Sequence, residues 1–219
     1  MGAWTNLAID DIYSELRQEI IDRSIAPGTK LSEASLSSKW NVSRTPIREV
    51  LRRLEAEGLV TSYRYKGFTV NTITIHDIDQ IYTINILLGG LAGRLATPVI
   101  SEDPKKLKVI ERLCREMEAL YKRGDLETYF KKNKEFHFYF LHSCGNKWLI
   151  KIMENLTSQV DRFIVKALQI PRRMEKSVQE HWEIYKMLKM KNGRMVEKVI
   201  KNHFKNSLED IKKELIKEP

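Results

Sequence analysis

The chain has 219 residues, of which 42% are hydrophobic and 31% charged, a composition typical of folded globular proteins. No apolar run approaches the roughly 20 residues of a membrane span, and acidic residues interrupt the amino-terminal segment, so we expect neither a membrane protein nor a signal peptide. Two cysteines, Cys114 and Cys144, are too few for a disulfide framework and favour a reducing, cytoplasmic location.

The net charge of +9 suggests an anionic partner but does not locate its binding site. Residues 1–73 carry ten basic and nine acidic side chains, so most of the excess lies in the remainder of the chain. The arrangement of the charges is therefore more informative than their total.

Three short helices are predicted first. Apolar spacing places one helix at residues 9–24, ended by Pro27-Gly28. A second helix follows Ser32 and a third follows Ser43, because serine is a good N-cap and each is preceded by an apolar residue.

A small hairpin is predicted after the third helix, which Gly58 ends. Two β-prone runs, "LVTSY" and "FTV", are joined by residues 64–67. Three helices followed by a hairpin indicate a winged helix-turn-helix, which we place at residues 4–72.

The remainder, residues 75–217, has helical periodicity and no strand pattern. Proline, glycine and aspartate turns divide it into about six helices of about 15–25 residues. We expect a mostly α protein whose second domain is an all-helical antiparallel bundle. The turn signals are Pro98, Asp103-Pro104, Gly124-Asp125, Gly145-Asn146, Pro171 and Asn192-Gly193.

Positive charge is concentrated on one face of the third predicted helix. Arg44, Arg48 and Arg52 recur every four residues, and Ser43 and Thr45 lie beside the first of them. Cations are unfavourable at a helix N-terminus in isolation but favourable against phosphate and guanine edges. A solvated face paired with nearby glutamates is the simpler alternative, but the capped helix-turn-helix pattern favours DNA.

The hairpin tip adds Arg64 and Lys66, which suit contacts to DNA phosphates. Together with the arginines of the third helix they predict double-stranded DNA as a partner.

The stretch "VSRTPIREVLRRLEAEGLV" closely resembles the DNA-binding domain of the GntR family of bacterial transcription regulators, and the match runs from about Ile12 to Val70. This resemblance implies operator contacts by Arg44, Thr45 and Arg48, and by the wing glycine, Gly67. Some relatives carry a further DNA-contacting arginine where this chain has Ala34.

Three histidines, His137, His181 and His203, fall on apolar helix faces of the second domain. Buried imidazoles need partners, and three together favour a shared ligand, most simply a divalent metal. Asn133 lies one helical turn before His137 and could add an oxygen. His76 and His142 fall outside these faces, and we assign them no role.

The second half resembles the FCD effector domain of the FadR-like GntR subgroup. The resemblance rests on "NKEFH", "SCGN", "EH" and a final histidine 22 residues later. It implies that Asn133, His137, His181 and His203 bind a divalent transition metal, Zn, Ni or Mn. Asparagine replaces the usual aspartate, so we expect weaker metal binding, with open coordination positions for an organic anion.

The first helix of this domain departs from its relatives at the effector pocket. Asn85 stands where an arginine usually binds an effector carboxylate, so the identity of the effector does not carry over. Gly89, Ala92, Gly93 and Ala96 form a small-residue stripe that suits close helix packing, a dimer contact or ordinary core packing.

We therefore predict a metabolite-responsive, DNA-binding repressor that is not an enzyme. A homodimer is expected because one short recognition helix reads few base pairs. One alternative is a metal-free regulator that binds an apolar or acyl effector. Another is a metallohydrolase fused to a DNA-binding module, disfavoured because no general base is placed beside the histidines.

Overall fold

The computed structural model describes residues 3–22, 24–63, 67–72, 74–170 and 172–215. They divide into two compact units, one up to Thr74 and one from Ile75 onward. Each unit has a hydrophobic core of its own.

The first unit is a winged helix-turn-helix with a small antiparallel sheet in the order β1-β3-β2. Its first helix begins before the predicted residue 9 and ends before residue 24. The two-residue strand β1 was not predicted, and it pairs Leu31 with Phe68 of β3. The elements are α1 (Ala3–Ile21), β1 (Lys30–Leu31), α2 (Glu33–Trp40), α3 (Arg44–Ala56), β2 (Val60–Tyr63) and β3 (Gly67–Val70).

The core of this unit fixes the orientation of α3. Its apolar stripe, Ile47, Val50, Leu51 and Leu54, is fully buried against α1 and the sheet. The remaining face of α3 is consequently exposed.

Asn71 fastens the far end of the wing to the end of α3. Its backbone N–H donates to the carbonyl of Leu59 at 2.9 Å, and its side-chain Nδ2 donates to the carbonyl of Gly58 at 2.7 Å. The hydroxyl of Thr61 donates to Asn71 Oδ1, also at 2.7 Å.

The described part of the second unit is entirely helical, as predicted. Its helices are α4 (Ile75–Ser101), α5 (Pro104–Arg123), α6 (Leu126–Ser143), α7 (Lys147–Gln169), α8 (Arg173–Lys189) and α9 (Gly193–Leu215). Pro98 was expected to end a helix, but α4 continues through it to Ser101. Its last turn tolerates the proline because the buried residues Thr97 and Ile100 hold it against the core.

By length and apolar composition alone, α4 could cross a membrane. Half of its most apolar window is buried inside the domain, as in the core helix of a bundle.

The small-residue stripe of α4 packs against α9. A Cβ atom added at Gly89 would overlap the ring of Phe204, and one added at Gly93 would overlap Ile200. Of the three roles open to the stripe, the structure shows close packing within the domain.

The "SCGN" motif forms the turn between α6 and α7. Gly145 has a left-handed backbone, with φ of 71°, and Asn146 Oδ1 accepts hydrogen bonds from the backbone N–H groups of Trp148 and Leu149. The asparagine therefore caps α7.

Candidate DNA-binding face and three-histidine site

The residues predicted to contact DNA on α3 share one exposed surface, which we call the arginine face: Ser43, Arg44, Thr45, Arg48 and Arg52. Arg53 lies outside it, since its guanidinium pairs with Asp10 and Glu49, each at 2.7 Å. Arg53 thus ties α3 to α1 instead of joining the arginine face.

The N-terminus of α3 is well suited to receive an anion. Ser43 occupies the N-cap position, but its side chain makes no capping hydrogen bond, whereas Ser32 caps α2 through the N–H of Ser35. The first turn of α3 contains no acidic residue. Its backbone N–H groups and the Arg44 side chain are therefore available to a phosphate.

One carboxylate lies on the arginine face. Glu33, the first residue of α2, accepts hydrogen bonds from Arg48 Nε at 2.8 Å and from Arg48 Nη2 at 2.7 Å. The hydrogen bond from Arg48 lowers the pKa of Glu33 more than burial raises it, and the charges of Arg44 and Arg52 lower it further. Glu33 is thus ionised at neutral pH in the middle of the arginine face.

The wing glycine has a structural reason to be glycine. Gly67 has φ of 77°, and a Cβ atom there would lie 3.2 Å from the carbonyl oxygen of Leu31. Arg64 and Lys66 lie outside the described residues, so their predicted phosphate contacts stay a prediction.

In the second unit, α6, α8 and α9 bring His137, His181 and His203 together. His137 Nε2 lies 3.3 Å from His181 Nε2 and 3.1 Å from His203 Nε2. Each histidine offers a ring nitrogen within 4.8 Å of those of the other two. His181 and His203 are buried, and His137 is partly exposed.

Two further side chains fix the orientation of these rings. Glu180 Oε2 lies 2.7 Å from His203 Nδ1, and Ser177 Oγ lies 3.5 Å from His181 Nδ1. A carboxylate can only accept, so His203 carries its proton on Nδ1 and turns the Nε2 lone pair toward His137.

The surroundings keep the imidazoles neutral. Burial lowers the pKa of all three histidines, most clearly those of His137 and His181, and the charges of neighbouring groups lower it further. Glu180 opposes this shift at His203. Burial raises the pKa of Glu180, but the hydrogen bonds from His203 and Asn206 and the charge of Arg173 outweigh it, bringing that pKa to about 2.

The donor set fits a transition-metal ion. Zinc–nitrogen bonds of about 2.0–2.1 Å at tetrahedral angles place ligand nitrogens about 3.3–3.4 Å apart, close to the observed 3.1 and 3.3 Å. A proton on one Nε2 atom bridges at most one of these pairs, whereas a cation satisfies all three lone pairs. Neutral imidazoles with an oriented Nδ1–H are the form that binds such ions.

The histidine cluster opens onto a cavity of about 70 Å³. That space exceeds the roughly 10–15 Å³ needed by one water molecule several-fold. Its wall is mainly apolar: Phe138, Leu141, Met153, Ile164, Leu168 and Phe204. The charged groups on the wall are Lys134, which pairs with Asp161, and Arg173, which pairs with Glu180 at 3.0 Å and Asp210 at 3.4 Å.

The two asparagines singled out from the sequence line the same cavity as His137 and His203. Asn133 is 5% exposed and Asn85 is 6% exposed. Asn85 Oδ1 is buried without a hydrogen-bond partner. His76 and His142 are exposed and lie outside the cluster, next to Gln80 and Glu154 respectively.

Family models match both halves of the chain. Residues 8–70 match the bacterial regulatory proteins of the gntR family, and residues 80–206 match the FCD domain. The chain belongs to the GntR family of transcriptional regulators. Its FCD domain is the helical unit that contains the three-histidine site.

Relatives and solved structures agree with this assignment to the GntR family. The HTH-type transcriptional regulator YdhC of Bacillus subtilis is 30% identical, with 91% of this chain and 89% of YdhC covered. The HTH-type transcriptional repressor RspR of Escherichia coli is 28% identical, with 92% of this chain and 87% of RspR covered. The structure of E. coli McbR/YncC has the same fold, with a TM-score of 0.79 at 20% identity over 98% of this chain and all of that one.

The GntR relatives are transcriptional regulators, so the prediction that the chain is not an enzyme is confirmed, and the metallohydrolase alternative is set aside.

The sequence-based reasoning missed Glu33, Arg173 and Glu180 as members of the two sites. Glu180 directly precedes His181, and adjacent residues of a helix start out on different faces. Its neighbours Arg173 and Asn206 instead draw the carboxylate toward His203.

Proposed function

We propose that this GntR-family regulator is a cytoplasmic, homodimeric repressor whose operator affinity is set by a metal-dependent effector in the FCD domain. The observation that carries the metal-dependent part is the convergence of three neutral imidazoles on one point beside a cavity. A relative of similar length, RspR, is named a repressor, which supports that direction of control.

His137, His181 and His203 would hold the metal, with Asn133 as the oxygen donor that replaces an aspartate. The metal would supply positive charge and open coordination positions for an anionic effector. Glu180 and Ser177 would keep the rings oriented for it. The cavity provides room for the rest of the molecule.

Operator binding would use the arginine face, Gly67, and Arg64 and Lys66 of the wing. The uncapped, acid-free N-terminus of α3 supports phosphate binding there, and the arginines support readout of guanine. An effector alters repression only if it binds two arrangements of the protein with different affinity.

Exposed apolar side chains support the homodimer. Ile84 and Leu87 on α4 are 43% and 57% exposed, and Trp148 and Ile152 on the adjacent helix α7 are 64% and 48% exposed. Exposed apolar side chains on two adjacent helices suit a protein–protein interface. A second copy would bury them and present two recognition helices to a palindromic operator.

The mainly apolar wall of the cavity favours one further candidate, a metal-free regulator that binds an acyl effector. In that case the histidines would hydrogen-bond to the ligand. The metal content of the purified protein separates the two.

The test of the proposed function begins with selection of bound duplexes from a randomised library by the full-length protein. Operator affinity is then measured with zinc, with chelator, and for a His137→Ala, His181→Ala, His203→Ala variant. We expect a two-fold symmetric operator, stoichiometric metal in the wild type, and none in the variant. A purified protein without metal, whose affinity for the operator ignores added zinc, would contradict the metal-dependent part.

A further inference from the structure

Asn85 is a polar residue on the cavity wall whose side-chain oxygen lacks a hydrogen-bond partner among the described residues. Its Oδ1 atom has no hydrogen-bond partner although the residue is 6% exposed. A buried acceptor without a donor destabilises a folded protein, so an unsatisfied oxygen beside a cavity calls for a donor that the protein itself does not provide.

Two hydroxyl groups line the cavity together with Asn85. Tyr82, one turn earlier on α4, lies with its hydroxyl 3.4 Å from that of Ser207 on α9, and both line the cavity. Burial raises the pKa of Tyr82 to about 12, so its hydroxyl stays protonated. This side of the cavity therefore offers neutral hydrogen-bonding groups.

Lys134 and Arg173, the cations on the wall, already form ion pairs within the protein. Lys134 is paired with Asp161, and Arg173 lies between Glu180 and Asp210. A carboxylate of the effector cannot donate the hydrogen bond that Asn85 Oδ1 lacks. A hydroxyl or amide N–H would instead complete the bond that Oδ1 lacks.

We propose that Asn85 selects the effector by accepting a hydrogen bond from a neutral donor, which makes the effector a hydroxylated or amide-bearing small molecule. This inference rests on the proposed function, because it takes the cavity as the effector site. It assigns the α4 side of the cavity a specificity opposite to that of a carboxylate-binding arginine.

The first part of the test needs no ligand. Asn85→Leu removes an unsatisfied acceptor at similar volume, so the thermal midpoint of the effector-free protein should rise by about 2–6 °C. Ser101→Ala is the matched control, since Ser101 Oγ is another buried, unpartnered atom of α4 but the residue does not line the cavity. It should also stabilise. A fall in the midpoint of Asn85→Leu would show a structural role and overturn the inference.

The second part uses two six-carbon monocarboxylates, gluconate and hexanoate, which differ in their hydroxyl groups. Calorimetry with the zinc-supplemented full-length protein should show tighter binding of gluconate. We expect Asn85→Leu to weaken gluconate binding about 10-fold or more, while Ser101→Ala leaves it unchanged. Preference for hexanoate, equal binding by wild type and Asn85→Leu, or binding of neither acid would count against the inference.

The two failures are distinguishable. Preference for hexanoate overturns the assignment of the donor but leaves an effector-binding regulator in place. If zinc and both acids leave operator affinity unchanged and the protein contains no metal, the proposed function itself fails.

Discussion

The guanidinium of Arg48 is held by both carboxylate oxygens of Glu33, at 2.8 and 2.7 Å. This arginine of α3, predicted to contact DNA, is therefore neutralised and oriented in the DNA-free protein. The same carboxylate repels phosphates from the arginine face, so Glu33 opposes binding that depends on charge alone.

Glu33→Gln should strengthen binding to duplexes of random sequence. The loss of one negative charge should steepen the dependence of log K on log salt by about 0.9. Fluorescence anisotropy across a salt series measures both quantities. Glu49→Gln is the matched control, because Glu49 pairs with Arg53 away from the arginine face. Equal salt slopes for Glu33→Gln and the wild type would contradict this prediction.

Arg44→Gln and Arg48→Gln should each weaken DNA binding and flatten the salt dependence by about 0.9 per lost phosphate contact. If either arginine reads a base edge, its variant should also lose discrimination between the selected operator and a random duplex. Arg53→Gln provides the control on the same helix. Retention of wild-type affinity by Arg44→Gln, Arg48→Gln double variants at moderate salt would exclude the arginine face as the DNA contact.

Glu180→Gln should lower metal affinity about 10–100-fold, since an amide holds the Nδ1–H of His203 less strongly than a carboxylate. Competition with a chromogenic chelator gives the affinity, and the imidazole N–H resonances report the tautomer of His203. Glu183→Gln, an exposed substitution on the same helix, controls for charge. Unchanged affinity together with an unchanged tautomer would show that Glu180 does not orient the ring.

Gly89→Ala should lower the free energy of unfolding by about 1–2 kcal/mol, because overlap with Phe204 outweighs the gain in helix propensity. Denaturant unfolding measures this change. Phe204→Leu should relieve part of the cost in the double variant, as a double-mutant cycle would show. Additive effects would place the strain elsewhere.

Leu87→Lys should convert the protein to a monomer and weaken operator binding, since Leu87 is 57% exposed on the apolar surface of α4. Light scattering after size exclusion gives the mass. Met190→Lys, at a similarly exposed apolar residue directly after α8, should leave the mass unchanged. A Leu87→Lys protein that remains dimeric would move the interface away from α4.

The sequence predicted the order of elements and the histidine cluster because both depend on periodicity along single helices. The helical spacing of Ile47, Val50 and Leu51 directs them inward on α3, and the same spacing brings the three histidines of α6, α8 and α9 together. The family resemblance added which of the exposed residues to expect at DNA.

Pairings between distant parts of the chain were not predictable in this way. Glu33 meets Arg48 only because α2 packs against α3, and Glu180 of α8 meets His203 only because α8 packs against α9. Strand β1 was not predicted because two residues are too few to show the alternation of apolar and polar residues that marks a strand. The prediction that Pro98 ends a helix was wrong, because tertiary packing offsets the cost of a proline in the last turn of α4. A local sequence pattern does not contain that packing.

The contacts of Asn71 have a practical consequence for building hybrid sensors. A fusion of this winged helix-turn-helix to a different ligand-binding domain should keep the native sequence through residue 72. A junction before Asn71 would remove the hydrogen bonds that hold the wing to the end of α3. The chimera would then bind DNA more weakly, whatever ligand its new module senses.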